Sequence, residues 1–258
     1  MLRFRSLGSG SSGNATVVEA SSAHQVTRLL VDCGLTLRQL DLRLARAGLQ
    51  ASDIHAVFVT HEHGDHIGSA RLLALRQRLP VWMSYGTYQG VGCPDFDGML
   101  NLATDGAAIT LGELSVTPFT VPHDAREPLQ LRCSDGASSL GILTDLGHAT
   151  RHVLDHLDRC QALLLECNHD ADLLAGSSYP PFLKRRVGGD HGHLSNADAS
   201  RIALSLHHAG LATVVAAHLS RQNNRPDLAR AALAAALGRC QADVGVADPV
   251  LGTDWFTV

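Results

Sequence analysis

The chain has 258 residues, 45% of them hydrophobic but only 4% aromatic, with a formal net charge of −4. That length suits one large domain or two small ones, and Leu, Val, Ile and Ala must fill the core. The acid excess excludes a global basic field, so any nucleic-acid contact must come from local Arg and Lys.

From the N-terminus, Leu2 to Leu7 alternates apolar and polar residues as a strand does. Gly8-Ser9-Gly10-Ser11-Ser12-Gly13-Asn14 makes a tight turn, Ala15 to Ala20 returns as a second strand, and Arg28 to Val31 is a third. Thr36 is placed to cap a helix running to about Ala47, with Gly48 as its stop. Ile54 to Val59 reads as a buried strand. Ile67 to Leu79 has helical spacing and ends at Pro80, Val81 to Ser84 is a short strand, and Tyr85 to Asn101 is a short helix and loop. Ile109 to Val121 holds two strands around Gly112-Glu113, and Leu129 to Cys133 with Ser139 to Thr144 forms a hairpin. The helix Arg151 to Leu157 leads into the strand Ala162 to Leu165. Pro180 to Arg186 is a further short helix, and Asn196 or Ser195 caps a helix over Ala197 to His208. Val214 to Ala217 is a strand and Pro226 to Leu237 an Ala-rich helix. No linker separates two units, so two sheets sandwiched between helices, in one domain over residues 1–258, fit this order.

The chemistry centres on Thr60-His61-Glu62-His63-Gly64-Asp65-His66, which sets three imidazoles and a carboxylate behind an apolar strand. Imidazole and carboxylate are ligands that borderline divalent metals accept. A lone His would read as a polar turn; four potential ligands in one turn favour a metal. Three more candidates each follow an apolar run: His123 after Phe119-Thr120-Val121-Pro122, Asp145 after Gly141 to Thr144, and His218 after Val214 to Ala217. Strand ends at one rim of a sheet converge. Together the residues make seven ligands, enough for two metals sharing a carboxylate.

Other features weigh less. The cysteines are scattered without a Cys-x-x-Cys pair, which predicts reduced core thiols. The N-terminus lacks a signal-peptide core and no apolar stretch reaches bilayer length, so a cytoplasmic protein without a membrane role is expected. The Ser/Gly turn offers backbone N–H groups that can approach an anion, but no Gly-Lys-Ser/Thr follows and a triphosphate loop is not supported. Lys184-Arg185-Arg186, Arg221 and Arg225 are the basic features near the expected mouth.

These residues resemble the metallo-β-lactamase superfamily: His61-x-His63-x-Asp65-His66, then His123, Asp145 and His218. Leu7 to Asn14, Thr144-Asp145-Leu146-Gly147, Glu166-Cys167-Asn168-His169-Asp170, Gly192-His193-Leu194-Ser195-Asn196 and Ala217-His218-Leu219-Ser220 are similar to its YycJ/WalJ branch. Cys167 stands where that pattern has Ser, and His148 where it has an aromatic.

The resemblance implies an α/β fold, a four-layer αββα sandwich with the site along one edge. It puts His61, His63 and His123 on one metal (zinc, manganese or iron), Asp65, His66 and His218 on the other, and Asp145 between them. Two such cations share a hydroxide, ionised near neutral pH, that attacks phosphorus. Asp65 would orient that hydroxide, and His193 would reach the scissile phosphate to stabilise charge or protonate the leaving oxygen. Ser11, Asn14, Asn168 and His169 are the candidate substrate contacts. The activity implied is a phosphodiesterase acting on nucleic acid, DNA before RNA, as an exonuclease. Hydrolysis of a small phosphodiester such as a cyclic nucleotide, and a non-catalytic nucleotide-binding regulator, are the competing readings.

Overall fold

The computed structural model describes residues 1–258. Seven strands form the first sheet, in the order β14-β1-β2-β3-β4-β5-β6. They are β1 (Leu2–Gly8), β2 (Ala15–Ser21), β3 (Val26–Val31), β4 (Ala56–Phe58), β5 (Val81–Met83), β6 (Leu100–Leu102) and the C-terminal β14 (Phe256–Thr257). The second sheet runs β13-β12-β11-β10-β9-β8-β7, from β7 (Ile109–Leu111), β8 (Leu114–Thr120), β9 (Leu129–Ser134), β10 (Ser139–Leu143), β11 (Ala162–Glu166), β12 (Thr213–Ala217) and β13 (Val244–Val246). Helices α1 (Leu37–Arg46), α2 (Gly64–Ile67), α3 (Ala70–Gln77) and α4 (Tyr85–Gly90) accompany the first sheet. The others are α5 (Arg151–Leu157), α6 (Ala171–Gly176), α7 (Pro181–Val187), α8 (Asn196–Ser205) and α9 (Pro226–Leu237).

Side-chain alternation explains why two sheets need four layers. Successive residues of a strand point to opposite faces, and here both faces are apolar. Leu29, Val31, Ala56 and Phe58 enter a core shared with Leu131, Ile142, Leu164 and Val215 of the other sheet. Their neighbours Leu30, Val57 and Val59 enter a second core with Leu40, Leu44, Leu73 and Ala74 of α1 and α3. On the far side, Leu163, Leu165, Val214 and Ala216 pack with Val153, Ile202 and Leu233 of α5, α8 and α9. Two doubly buried sheets covered by helices are the αββα sandwich expected.

Thr36 caps α1 by accepting from Gln39 N, and Gly48 follows with φ +75°. Ser195, rather than Asn196, caps α8, in a reciprocal capping box with Asp198. The helix expected from Ile67 begins instead at Ala70. Gly68 interrupts it, because its Cα passes so close to Cys33 that a Cβ would lie 2.6 Å from the Cys33 carbonyl oxygen. Strands β6, β13 and β14 and helix α6 were not expected from the sequence; each is short and lacks a long apolar period. No helix is long and apolar enough to cross a membrane.

Candidate metal centre

Each candidate ligand leaves the end of a strand or starts the turn behind it. Thr60, just past β4, donates N–H and Oγ–H to the carboxylate of Asp32 (2.8 and 3.0 Å), which itself follows β3. That clamp fixes the exit of His61. His63 then precedes α2, whose first turn carries Asp65 and His66. Asn14 N and Cys33 N donate to the Asp65 and His66 carbonyls, each at 2.8 Å. His123 follows β8, Asp145 follows β10 and His218 follows β12. Asp145 and His218 have φ of +55° and +54°, a left-handed conformation that costs free energy in non-glycine residues and is typical of functional sites.

These turns bring all seven predicted ligands together. Donor atoms of His61, His63 and His123 form one cluster, and those of Asp65, His66 and His218 a second. A third, His61 with His66 and Asp145, joins them. His63 Nδ1 lies 3.0 Å from His61 Nε2 and 3.4 Å from His123 Nε2. Asp145 reaches His66 Nε2 at 3.1 Å and His218 Nε2 at 3.4 Å. Asp65 Oδ2 is 3.7 Å from each of the same two nitrogens.

Outer partners set which ring nitrogens face inward. His66 Nδ1 meets Asp32 at 2.8 Å, His123 Nδ1 the Gly192 carbonyl at 3.1 Å, and His218 Nδ1 the Glu166 carboxylate at 3.1 Å. His61 Nδ1 meets Thr60 Oγ1 at 3.0 Å. A proton on each Nδ1 satisfies those acceptors and leaves Nε2 as a lone pair aimed at the centre, the arrangement metal-bound histidines require. Two inward atoms, Asp145 Oδ2 and His218 Nε2, are buried and form no hydrogen bond. Imidazole nitrogens and carboxylate oxygens converging on one centre, with buried polar atoms among them that lack a partner, fit divalent cations.

The electrostatics agree. Burial alone would raise Asp145, but the His218 and His66 rings hold its carboxyl well below the usual range. Burial would lower His66, yet Asp145 and Asp32 lift it well above an ordinary histidine. His218 is likewise pushed up to about 10, chiefly by Asp145 against burial. His61 is driven the other way, by burial and then by His66. Without a cation the carboxylates retain protons on these rings, and cation binding releases them.

His193 sits at the rim of this centre. Its Nδ1 is 2.8 Å from Glu166 Oε1 and 3.6 Å from Asp145 Oδ1. Glu166 is fully buried and also accepts from Leu146 N and Leu194 N. Glu166 and Asp32 were passed over as site residues in the sequence, although both close an apolar strand, the signal that picked out Asp145. Of the expected substrate contacts, Ser11 is exposed on its loop. Asn14 is buried, accepting from Gly10 N and donating to the Asp65 carbonyl. Asn168 donates to the His218 carbonyl. Buried His169 stays outside the clusters, bridging to Ser195. His148 meets the Asp190 carbonyl at 2.9 Å, and Cys167 is buried beside Glu166.

Comparison with known proteins identifies the family. Residues 27–219 match the model of the β-lactamase superfamily domain. Exodeoxyribonuclease WalJ of Streptococcus pneumoniae is 31% identical over 249 residues, 95% of this chain and 90% of that protein. Exodeoxyribonuclease YycJ of Bacillus anthracis is 31% identical over 98% of this chain and 96% of its own length. Among solved structures, YhfI of Bacillus subtilis, a metallo-β-lactamase fold protein, superposes with a TM-score of 0.75 at 18% identity, covering 99% of this chain and 98% of its own. Human tRNase Z, short form, gives 0.66 at 15% identity over 99% of each chain. The chain belongs to the β-lactamase superfamily, alongside the WalJ and YycJ proteins.

Proposed function

We propose that the protein is a dinuclear metal-dependent phosphodiesterase that hydrolyses nucleic acid, acting as a DNA exonuclease through a single metallo-β-lactamase-like domain over residues 1–258. The observation that carries this reading is the pair of ligand clusters meeting at Asp145, with His193 held against the same carboxylate. The names of the relatives WalJ and YycJ support DNA as the polymer. His61, His63 and His123 would hold one cation, Asp65, His66 and His218 the other, and Asp145 would serve both. Zinc, manganese and iron all suit such donors. Bound there, divalent cations ionise water near neutral pH and offset charge on the phosphoryl oxygens.

The chain's own groups supply the rest. Asp65, a quarter exposed at its side chain, would accept a hydrogen bond from the attacking hydroxide and orient its oxygen towards phosphorus. As the new P–O bond forms, the bond to the leaving oxygen breaks. His193 Nε2–H faces outward because Nδ1–H is engaged by Glu166, and it delivers its proton to that leaving oxygen. Burial would lower the His193 pKa, but the Glu166 carboxylate outweighs it and raises it, which favours the protonated ring. The six free cysteines support a reducing, cytoplasmic setting.

The test is metal-loaded protein on end-labelled duplex DNA, single-stranded DNA and RNA, with release of mononucleotides from DNA ends expected. Turnover of a small phosphodiester without cleavage of any polymer would instead favour a small-molecule phosphodiesterase, the reading that the net charge of −4 supports.

A further inference from the structure

A cavity of about 250 Å³ lies between the turn after β1 and the turn after β12, the turn that begins at His218. Ser9, Ser11 and Ser12 line one side, Ser220 and Arg221 the other, and Tyr179 completes it; no carboxylate lines it. Two nearby arginines are paired with carboxylates, Arg186 with Asp124 at 2.6 Å and Arg225 with Asp227 at 3.5 Å. Arg221 instead bonds a neutral hydroxyl, Ser12 Oγ at 3.1 Å. Behind the wall, buried Arg43 is held by the Leu7 and Pro249 carbonyls (3.0 and 2.9 Å), not by a carboxylate, and its Nε has no partner. Arg221 therefore adds positive potential to a hollow rich in hydroxyl groups, while Asp248, which acts on Arg43 and lines the adjoining hollow, offsets Arg43 in part.

The cavity is also fixed relative to the reacting centre. Ser9 Oγ accepts from His218 N at 2.7 Å, and Ser220 and Arg221 follow His218 directly in the chain. Gly10, at φ +102°, runs so near the other wall that a Cβ would lie 3.1 Å from the Leu219 carbonyl oxygen. Asn14 ties the serine turn to the Asp65 carbonyl at 3.2 Å. Past Arg221 the hollow joins a second one of about 350 Å³ that reaches Arg230. A strand with one phosphate at the metal centre carries further phosphates close by, recurring at about 3.4 Å of helix rise per strand.

We propose that the cavity lined by Ser11, Ser12, Ser220 and Arg221 is a second phosphate subsite, taking a non-scissile phosphate of the strand being cleaved. It rests on the nucleic-acid reading above. Arginine with hydroxyl donors is a donor set suited to phosphate oxygens. The phosphate is either an internal diester or the terminal monoester, and both present the same anionic oxygens. A substrate with a single phosphate gains nothing from it, so the subsite selects polymers over small diesters.

A cycle between Arg221 and individual phosphates tests it. Metal-loaded wild type and Arg221→Gln are assayed on a single-stranded hexanucleotide carrying a neutral methylphosphonate at each non-scissile linkage in turn, with and without a terminal phosphate. Neutralising one position should raise the wild-type KM about tenfold and that of Arg221→Gln less than about twofold. Coupling at a linkage identifies an internal diester, and coupling at the terminal phosphate identifies the monoester. Arg221→Lys should recover part of the coupling, and Ser12→Ala should weaken it. Equal losses in wild type and Arg221→Gln at every position, with cleavage intact, would overturn the subsite and leave the nuclease reading standing. Absence of cleavage of every oligonucleotide, with bis(p-nitrophenyl) phosphate still hydrolysed, would overturn the nucleic-acid reading itself.

Discussion

Glu166 joins His193 and His218 through one carboxylate. It takes His193 Nδ1 at 2.8 Å and His218 Nδ1 at 3.1 Å on Oε1, and Leu146 N and Leu194 N at 3.2 and 3.0 Å on Oε2. A glutamine of the same shape must turn an NH2 towards one of these donor pairs. Glu166→Gln should therefore lose about 1–3 kcal/mol of stability and about 10–100-fold in kcat, read from urea midpoints and steady-state rates. A variant within twofold of wild type in kcat would show that His193 needs no such partner. Asp145 is different, because its carboxylate links the two clusters directly. Asp145→Ala should lose at least one metal by elemental analysis; two metals retained at full occupancy would refute its shared role.

The turns that carry the ligands are held by backbone contacts as much as by side chains. Gly34, just after β3, lies against the Asp65 peptide so closely that a Cβ would fall 1.7 Å from the Asp65 carbonyl oxygen. Gly34→Ala should cost about 1–3 kcal/mol by overpacking and weaken metal affinity, because relief must displace Asp65. Gly48 gives the contrast: φ is +75° but nothing lies within 4 Å of a Cβ. Gly48→Ala should cost about 1–2 kcal/mol from backbone strain with metal affinity kept, so the two variants separate strain from site geometry when stability and metal titrations are compared. These contacts also mark what the sequence conceals. The ligand-bearing strand ends were readable because each apolar run stops at a His or Asp. The break at Gly68 was not, since it depends on where Cys33, far away in sequence, places its carbonyl. Strands β13 and β14 are held by neighbours β12 and β1 rather than by a pattern of their own. The role of Asn14, attractive as a substrate contact in sequence, is likewise set by the distant Asp65 carbonyl.

Across the whole molecule, charge and metal both act as cross-links. Glu19 on β2 stands opposite Arg3 on β1 and Arg28 on β3, with each guanidinium 2.6 Å away. Burial would raise its pKa, but the two arginines outweigh that and lower it from 4.5. A depressed folded pKa means the contribution is complete above about pH 4.5 and is lost as pH falls through the folded value. Glu19→Gln should therefore cost about 2 kcal/mol at pH 7 and flatten the acid limb of the urea-midpoint curve; an unchanged acid limb would place that dependence elsewhere. Cations at the candidate metal centre would tie the two sheets together, whereas the Glu19 pairs lie within the first sheet. His61, His63, Asp65 and His66 come from the turn after β4 in the first sheet, whereas His123, Asp145 and His218 follow strands of the second. Cations held there favour only the state in which both sheets are docked. Stability should thus rise as RT ln(1 + [metal]/Kd), about 2.7 kcal/mol at a free metal concentration of 100 Kd, and fall by that amount on chelation. Because the link spans the sandwich, chelation should speed amide exchange at the ends of β4 and β12 together. Faster exchange at β4 alone would mean that the cations are held by one sheet and that the pairing of ligands across the seam is wrong; a midpoint unmoved by chelator would mean that no cation stabilises the fold there.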